Sequence, residues 1–205
     1  MSTRCQVKIK EFGVKNDREK TMLPEFESFN KIARLSRECT VTEKIDGTNG
    51  QILITEDGRL YAGSRSRWLL TPDGLLEDNF GFGRWVLEHQ EELIPGLGIG
   101  RHYGEWWGAG IQRKYGLDEK RFSLFNTKQW STPDRPACCY VVPVLYQGAF
   151  DQIIIEDWIN TLRTEGSQAA PGFMKPEGVV IWHDAARVYF KKTIEGDEKP
   201  KGSQE

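Results

Sequence analysis

The chain has 205 residues, 38% of them hydrophobic, which is enough for one domain with a buried core and a catalytic cleft. Its 28 lysines and arginines nearly balance 30 aspartates and glutamates, so the formal net charge is −2. This balance excludes a global basic field for polyanions, and any nucleic-acid affinity must come from a local groove. The sequence shows neither an apolar signal-peptide core nor an apolar run of bilayer length, so we expect a soluble, cytoplasmic protein.

The first predicted elements form a β-meander. Polar and apolar residues alternate through 39–45, 49–56 and 59–66, and the Asp57-Gly58 pair is typical of a tight hairpin turn. A helix is predicted over 78–93, because apolar residues recur there at helical spacing and a Pro-Gly pair follows.

The second half of the chain continues the strand-rich pattern. A helix is predicted over 151–166, since an aspartate stands at its start and a glycine at its end. Further strands are predicted at 101–108, 121–127, 138–145 and, around a polar bend, 177–193. The pattern predicts an α+β fold of mainly antiparallel sheets with flanking helices. We expect one domain over 1–194 and a flexible tail over 195–205.

Several charged residues stand inside these apolar strands, where sheet packing does not require them. The first is Lys44, at a strand end just before the turn-like segment Asp46-Gly47-Thr48-Asn49. Taken alone, it could be a lysine whose charged end reaches solvent before an ordinary turn. The others are Arg65, Glu105, Glu177, Lys191 and Lys192. Because an unpaired buried charge is costly, charges of both signs in one sheet-rich domain indicate a shared polar cavity.

The order of these segments carries a family resemblance. The segments are Lys44-Ile45-Asp46-Gly47, Gly104-Glu105, Phe122-Ser123-Leu124-Phe125, Glu177-Gly178-Val179-Val180-Ile181 and Lys191-Lys192. Together they resemble the collinear motifs of the covalent nucleotidyltransferases, which include ATP-dependent DNA and RNA ligases and mRNA capping enzymes. The Thr-Asn pair after the glycine is most similar to nick-sealing RNA ligases. A single short motif is weak evidence, but five in order over most of the chain are strong.

The chemistry of nucleotidyl transfer explains the two lysine positions. A nucleophile that attacks the α-phosphorus of ATP must present a neutral amine, and Lys44 is that candidate. Lys191 or Lys192 would supply positive charge beside the α-phosphate, which favours the neutral amine and stabilises the transition state. Gly47 would let the backbone approach the nucleotide closely.

The resemblance implies a nucleotide-binding set made of Glu43, Asp46, Gly47, Glu105, Phe125 and Glu177. In this set Glu105 would bind the ribose hydroxyls, and Phe125 would stack on adenine, with Phe122 as a competitor for that role. Glu43 would lie near the adenine edge, and Glu177 would orient the lysine or bind a metal. ATP and Mg²⁺ are the implied cofactors, because the triphosphate charge must be neutralised.

The resemblance also implies contacts with the nucleic-acid ends. Arg65 would bind the 5′-phosphate, while Thr48 and Asn49 would assist the later steps; a solvated hairpin arginine and a simple turn are the alternatives. A further segment, 108–121, holds Arg113, Lys114, Lys120 and Arg121 between tryptophans and Tyr115. It is either a basic nucleic-acid groove or a solvated loop that tryptophans anchor.

Some features depart from the family pattern. Asn126 stands where an aspartate usually follows the stacking aromatic residue, and the two terminal lysines are adjacent instead of one residue apart. We favour Lys191 as the phosphate contact, with Tyr189 or Thr193 in the other position. The chain also ends soon after this motif, so we expect no C-terminal oligonucleotide-binding module, and a partner protein would supply the missing clamp.

The sequence therefore predicts an ATP-dependent RNA ligase, of phage or bacterial type, that acts in RNA repair through a lysyl-AMP intermediate. Its expected partner is nucleic acid, as RNA or RNA/DNA ends in a nicked duplex. Two alternatives remain open: another nucleotidyltransferase such as a capping-like guanylyltransferase, and a non-catalytic nucleotide- or RNA-binding relic of the fold.

Overall fold

The computed structural model describes residues 9–10 and 23–197. The chain divides after Ala33 into two compact units. In the first unit, β1 (Ile9–Lys10) pairs antiparallel with β2 (Leu23–Pro24), and Ile9 lies opposite Pro24. The second unit holds the remaining described strands and helices.

A seven-stranded sheet is the larger sheet of the second unit. Its strands are β4 (Thr48–Ile54), β5 (Leu60–Gly63), β6 (Trp68–Thr71), β7 (Gly74–Leu75), β8 (Gly100–Gly108), β9 (Lys120–Leu124) and β10 (Cys139–Val141). Their spatial order is β10-β9-β8-β4-β5-β6-β7. Every neighbouring pair is antiparallel except β9 and β10, which run parallel.

A four-stranded antiparallel sheet stands beside it in the same unit. Its strands are β3 (Glu38–Lys44), β11 (Val144–Ala149), β12 (Gly178–His183) and β13 (Val188–Thr193), in the order β11-β3-β12-β13. The predicted α+β fold with mainly antiparallel sheets is confirmed.

Each sheet buries one face against helices. The helices are α1 (Phe82–Glu88), α2 (Gln90–Leu97), α3 (Thr127–Trp130) and α4 (Gln152–Glu165). In the seven-stranded sheet, Ile52 and Phe122 pack with residues of α1 and α2. In the four-stranded sheet, Val41 and Val179 pack against the stripe of α4 that carries Ile159. The open face of each sheet is thereby left for other contacts.

The helix predicted over 78–93 is two short helices. The backbone leaves helical geometry at His89, where φ is −103° and ψ is 13°, and the His89 ring hydrogen-bonds the carbonyl oxygen of Trp85 at 2.8 Å. Pro95 lies inside α2, whereas the sequence predicted that it ends the helix. The prediction of α4 is confirmed, because Asp151 caps it by accepting from the Ile153 amide at 2.8 Å and Gly166 ends it.

The segment predicted as one strand over 138–145 is two strands in different sheets. Val142 and Pro143 separate β10 from β11, and proline has no amide hydrogen with which to continue a ladder. The Val142 amide donates to Leu124 in one sheet, while the Pro143 carbonyl accepts from Glu43 in the other. The strand predicted over 121–127 also ends early, at Leu124, because Asn126 caps α3.

The predicted tail lies partly outside the described residues. Up to Asp197 the backbone is tied to the end of β13, because the Thr193 amide donates to the Asp197 carboxylate at 2.9 Å. Residues 198–205 are not among those that the structure describes.

Candidate active site

The turn after Lys44 carries the chain from one sheet to the other. Lys44 is the last residue of β3 in the four-stranded sheet, and Thr48 is the first residue of β4 in the seven-stranded sheet. Gly178, the first residue of β12, lies opposite Lys44, so Glu177 projects beside the lysine. The site therefore forms where the two sheets meet.

The Lys44 amine is held in an ion pair. Its Nζ donates to Oε2 of Glu177 at 2.5 Å, and the two side chains are only 19% and 12% exposed. The amine therefore does not point into bulk solvent. In this ion pair the Lys44 amine is an ammonium group, whose nitrogen has no free lone pair. One proton must therefore leave before the nitrogen can act as a nucleophile.

Glu105 on β8 is the second carboxylate of the site. Its Oε1 accepts from the Gly47 amide at 3.0 Å, and its Oε2 accepts from the Asn49 side-chain amide at 3.4 Å. Burial raises the pKa of Glu105 to about 7, although the charge of Lys44 opposes this shift. Glu105 is thus poised to change its protonation state near neutral pH.

Gly47 is required by the close approach of the turn to β8. A Cβ at this position would clash with the Trp106 carbonyl oxygen and would lie 2.8 Å from the Trp107 Cβ. The absent side chain therefore lets the turn settle on β8, where the Gly47 amide reaches Glu105. The predicted nucleotide contact of Gly47 stays a prediction.

The loop between β8 and β9 also binds the turn that follows Lys44. Arg113 Nε donates to Oδ2 of Asp46 at 2.9 Å, and its Nη1 donates to the Lys175 carbonyl oxygen at 3.0 Å. The Asp46 amide also donates to the Tyr115 hydroxyl at 2.8 Å. Arg113 therefore joins the turn that follows Lys44 to the segment that precedes Glu177.

This loop is held in a strained conformation. Gln112, Lys114 and Tyr115 have φ values of 42°, 60° and 50°, a left-handed region that non-glycine residues rarely occupy. Each such residue costs on the order of 1–3 kcal/mol. Tyr115 is buried between Trp107 and Phe173, with ring centroids at 4.9 and 4.6 Å, and this packing offsets the strain.

The register of the four-stranded sheet separates the two terminal lysines. Lys191 lies opposite Val180, which lies opposite Thr42, so Lys191 is on the same face as Lys44. Lys192 is on the other face, where its Nζ pairs with Glu156 of α4 at 2.7 Å. The register thus favours Lys191 for a contact near the site.

Glu43 lies on the face of β3 opposite Lys44. Its side chain is fully buried and accepts from the Ser167 hydroxyl and from the Gln168 and Ala169 amides at 2.6, 2.7 and 2.8 Å. Burial raises the pKa of Glu43, and these hydrogen bonds oppose the shift. Its side chain anchors the loop after α4, and a nucleotide contact by Glu43 stays a prediction.

Phe122 and Phe125 have different environments. Phe122 is fully buried and packs on Phe82 at a centroid distance of 5.0 Å, so it is not available for stacking on a base. Phe125 is half-buried beside the cluster of Ile45 and Trp107, near the end of β3. The stacking role of Phe125 stays a prediction that its exposure permits.

The three predicted end-binding residues diverge in space. Asn49 contacts Glu105 and belongs to the site. Thr48 faces the opposite side of β4, where its hydroxyl accepts from the Asn79 side chain at 2.8 Å. Arg65 is exposed in the loop between β5 and β6 and has no hydrogen-bond or ion-pair partner among the described residues.

The segment 108–121 is an anchored loop. Trp106, Trp107 and Tyr115 are buried, and Trp106 forms part of the wall of a surface cavity that Ala109 and Lys120 also line. Arg113 turns inward to Asp46, and Arg121 pairs with Glu119 at 2.6 Å. Sequence reasoning missed the Asp46 contacts of Arg113 and Tyr115, which join residues 67 and 69 positions apart.

Two carboxylates near Lys44 could hold a divalent metal only together with other ligands such as phosphate oxygens and water. No group of three or more histidine, cysteine, aspartate or glutamate side chains in residues 25–197 is arranged to hold a metal. Mg²⁺ in nucleotide sites usually needs only one or two carboxylates plus phosphate oxygens and waters. Glu177 and Asp46, beside the candidate nucleophile, meet that requirement.

The two sheets, with a lysine at their junction, define a nucleotidyltransferase-type fold. The RNA ligase family model matches residues 37–194, and the chain belongs to this family. Two solved structures of Naegleria gruberi RNA ligase mutants are similar to it. The one with ATP and Mn has 20% identity, a TM-score of 0.59, and coverage of 82% of this chain and 53% of that one. The one with AMP and Mn has 18% identity, a TM-score of 0.58, and coverage of 78% and 50%.

At this identity the structural likeness shows the fold, and the chain spans about half the length of the solved structures that it matches. No curated protein sequence matches the chain. Within residues 9–10 and 23–197, every helix is too short or too polar to cross a bilayer.

Proposed function

We propose that the protein is an ATP-dependent RNA ligase that joins 3′-hydroxyl and 5′-phosphate ends through a lysyl-AMP intermediate. The observation that carries the proposal is the sequestered Lys44–Glu177 pair beside Glu105, at the sheet junction of a chain in the RNA ligase family. The similar Naegleria gruberi structures hold ATP or AMP with Mn, which supports ATP and a divalent metal here. Mg²⁺ is the metal that we propose.

The first step transfers AMP to Lys44. The Lys44 Nζ attacks the α-phosphorus, an N–P bond forms, and the bond to the pyrophosphate oxygen breaks. Glu177 accepts the proton that leaves the Lys44 ammonium group, because its Oε2 already receives that hydrogen bond at 2.5 Å. A second Nζ proton leaves to solvent or to the departing pyrophosphate as the N–P bond forms. Lys191, on the same face, supplies positive charge to the developing phosphate charge. Magnesium, when bound, neutralises the triphosphate, and Glu177 and Asp46 would hold it.

Two further transfers complete the proposed reaction. A 5′-phosphate oxygen attacks the lysyl-AMP, which breaks the N–P bond and leaves AMP joined to the 5′ end through a pyrophosphate bond. The 3′-hydroxyl then attacks the 5′-phosphate and releases AMP. Arg65 would hold the 5′-phosphate, and Asn49, which contacts Glu105, would lie near the same end.

Label transfer from nucleotide to protein tests the proposal. The protein is incubated with Mg²⁺ and either α-labelled ATP or α-labelled GTP, and acid-resistant, hydroxylamine-labile label is measured. We expect label from ATP in the wild type and in Lys192→Ala, whose lysine lies on the opposite face, and none in Lys44→Ala. Label from GTP alone would favour a capping-like enzyme, and no label from either nucleotide would favour a non-catalytic relic.

Nick sealing tests the substrate. Duplexes with a single nick are prepared in which the 3′-hydroxyl strand and the 5′-phosphate strand are RNA or DNA independently. We expect sealing when both strands at the nick are RNA, and the mixed duplexes then show which of the two ends must be RNA. Sealing of all-DNA nicks alone would contradict an RNA substrate. A requirement for an added protein factor would show that a partner protein helps to hold the nicked duplex.

A further inference from the structure

Beyond Glu105 and Asn49, one face of the seven-stranded sheet is open over β4, β5, β6 and the first half of β8, and this part has no role in the AMP transfer to Lys44. Helices α1 and α2 cover the other face, to which Ile52 and Phe122 belong. Strand alternation places a different set of side chains on the uncovered side. We call this set the open sheet face: Gln51, Leu53, Tyr61, Trp68, Arg101 and Tyr103.

The open sheet face presents planar groups. Tyr103 is 53% exposed. The Arg101 guanidinium lies over the Trp68 ring at 5.4 Å from its centroid, and the Tyr61 ring is 5.4 Å from the same ring. Aromatic rings and arginine planes are the surfaces on which unpaired nucleic-acid bases stack.

Its charge is complementary to a polyanion. Neither Arg101 nor the exposed Arg65 has a carboxylate partner among residues 25–197. Arg101 donates instead to the neutral Gln51 side chain. The Gln51 amide in turn donates to the Ser64 carbonyl oxygen at 3.0 Å, so the loop that carries Arg65 is tied to the edge of this face. Exposed cations without carboxylate partners are suited to phosphate groups.

The open sheet face is continuous with the candidate active site. Arg101, Tyr103 and Glu105 occupy alternate positions of β8, so their side chains follow one another on one face about 6.6 Å apart. Glu105 binds the Gly47 amide, three residues after Lys44. A strand that lies on Tyr103 therefore leads directly to the nucleophile.

We propose that the open sheet face is a stacking platform for single-stranded nucleic acid, and that it holds a 5′-phosphorylated strand whose end bases are unpaired when it receives AMP. Tyr103 and the outer side of the Arg101 guanidinium stack on bases, while Arg65 and Arg101 contact phosphates. This role deepens the proposed ligase function and rests on it.

Binding of a single strand tests the platform. Fluorescence anisotropy measures the Kd of a labelled, 5′-phosphorylated RNA oligomer for the full chain, and lysyl-AMP formation is measured on the same samples. We expect Tyr103→Ala to weaken binding by roughly 5- to 100-fold, since base stacking is lost. Tyr103→Phe keeps the ring and should bind as the wild type does. Arg84→Ala removes an exposed charge from α1, on the covered side, and serves as the control.

The outcomes separate this inference from the proposed function. Weaker RNA binding by Tyr103→Ala and Arg101→Ala, with normal lysyl-AMP formation and normal binding by Arg84→Ala, supports the platform. Wild-type affinity in Tyr103→Ala overturns it, as does an equal loss in Arg84→Ala. A change in sedimentation mass without a change in RNA affinity would also overturn it, because the face would then bind another protein chain. Failure of the wild type to form lysyl-AMP counts against the ligase function instead.

Discussion

Glu43 and Lys44 are consecutive residues of one strand, yet they lie in opposite environments. On the face of the four-stranded sheet that α4 covers, Glu43 is fully buried and accepts three hydrogen bonds. On the other face, Lys44 is partly accessible and has one carboxylate partner, Glu177, which must also release it. The first environment fixes a buried side chain in three hydrogen bonds, whereas the second keeps the partner of a charged group exchangeable.

The two terminal lysines repeat this contrast on β13. Lys192 is on the covered face in an ion pair with Glu156, and Lys191 is on the face of Lys44. A pair of adjacent charges in a strand therefore divides into a structural member and a candidate reactive member. Strand alternation alone produces this division.

The largest effect on stability is expected from Glu43→Ala. The substitution leaves the Ser167 hydroxyl and the Gln168 and Ala169 amides without their acceptor inside the protein, which costs about 3 kcal/mol of unfolding free energy. Urea unfolding measures this loss, with Glu43→Gln as the matched control that keeps part of the acceptor. An unchanged unfolding midpoint together with lost ATP binding would contradict the structural role and favour a nucleotide contact.

Lys191→Ala and Lys192→Ala form the next comparison. Loss of Lys191 should slow lysyl-AMP formation about 100-fold, the usual effect of removing one group that stabilises transition-state charge. Loss of Lys192 should leave the rate unchanged and cost under about 1 kcal/mol of stability, because its ion pair is partly exposed. Quenched-flow measurement of label transfer gives both rates. Equal slowing by the two substitutions would contradict the assignment of faces.

Arg113→Ala should give a smaller effect. The variant removes the connection between Asp46 and Lys175, so the lysine and Glu177 lose part of their alignment. We expect roughly 10-fold slower lysyl-AMP formation and a stability loss of about 1–2 kcal/mol. Arg113→Lys, which keeps the charge but not the two-point contact, should recover stability more than rate. If Arg113→Lys formed lysyl-AMP as fast as the wild type, the charge at this position alone would explain the effect of Arg113 on the rate.

A separate effect is expected on the pH dependence of stability. The folded pKa of Glu105 is raised from 4.5 to about 7, so the folded protein keeps a proton that the unfolded chain loses between these values. The free energy of unfolding should therefore fall as pH rises from 4.5 to about 7. In the Glu105→Gln variant it should fall less over the same range. Urea unfolding at several pH values measures the difference between the two proteins. Parallel curves would mean that Glu105 has an ordinary pKa.

Much of the fold follows from local patterns in the sequence. Alternation predicted β3, β4 and β5, and the Asp151 and Gly166 signals predicted α4. The break at His89 and the change of sheet at Pro143 were not predicted, because the helical spacing and the apolar run of the sequence continue across these two positions.

The candidate site was predictable to the extent that its residues are charges inside apolar strands. Lys44, Glu105 and Glu177 were found in this way. The contacts of Arg113 with Asp46 and Lys175, and the burial of Glu43, join residues far apart in sequence. No local signal therefore reveals them. The left-handed conformations of the 112–115 segment likewise show no glycine signal in the sequence.

The central claim is that Lys44 is the residue that becomes covalently joined to AMP. Mass-spectrometric mapping of peptides after incubation with ATP and Mg²⁺ tests it directly. We predict an adenylyl group on the peptide that contains Lys44, and none on the peptides that contain Lys191 or Lys192. An adenylyl group on another lysine, or an unmodified Lys44 in protein that still seals RNA, would contradict the account.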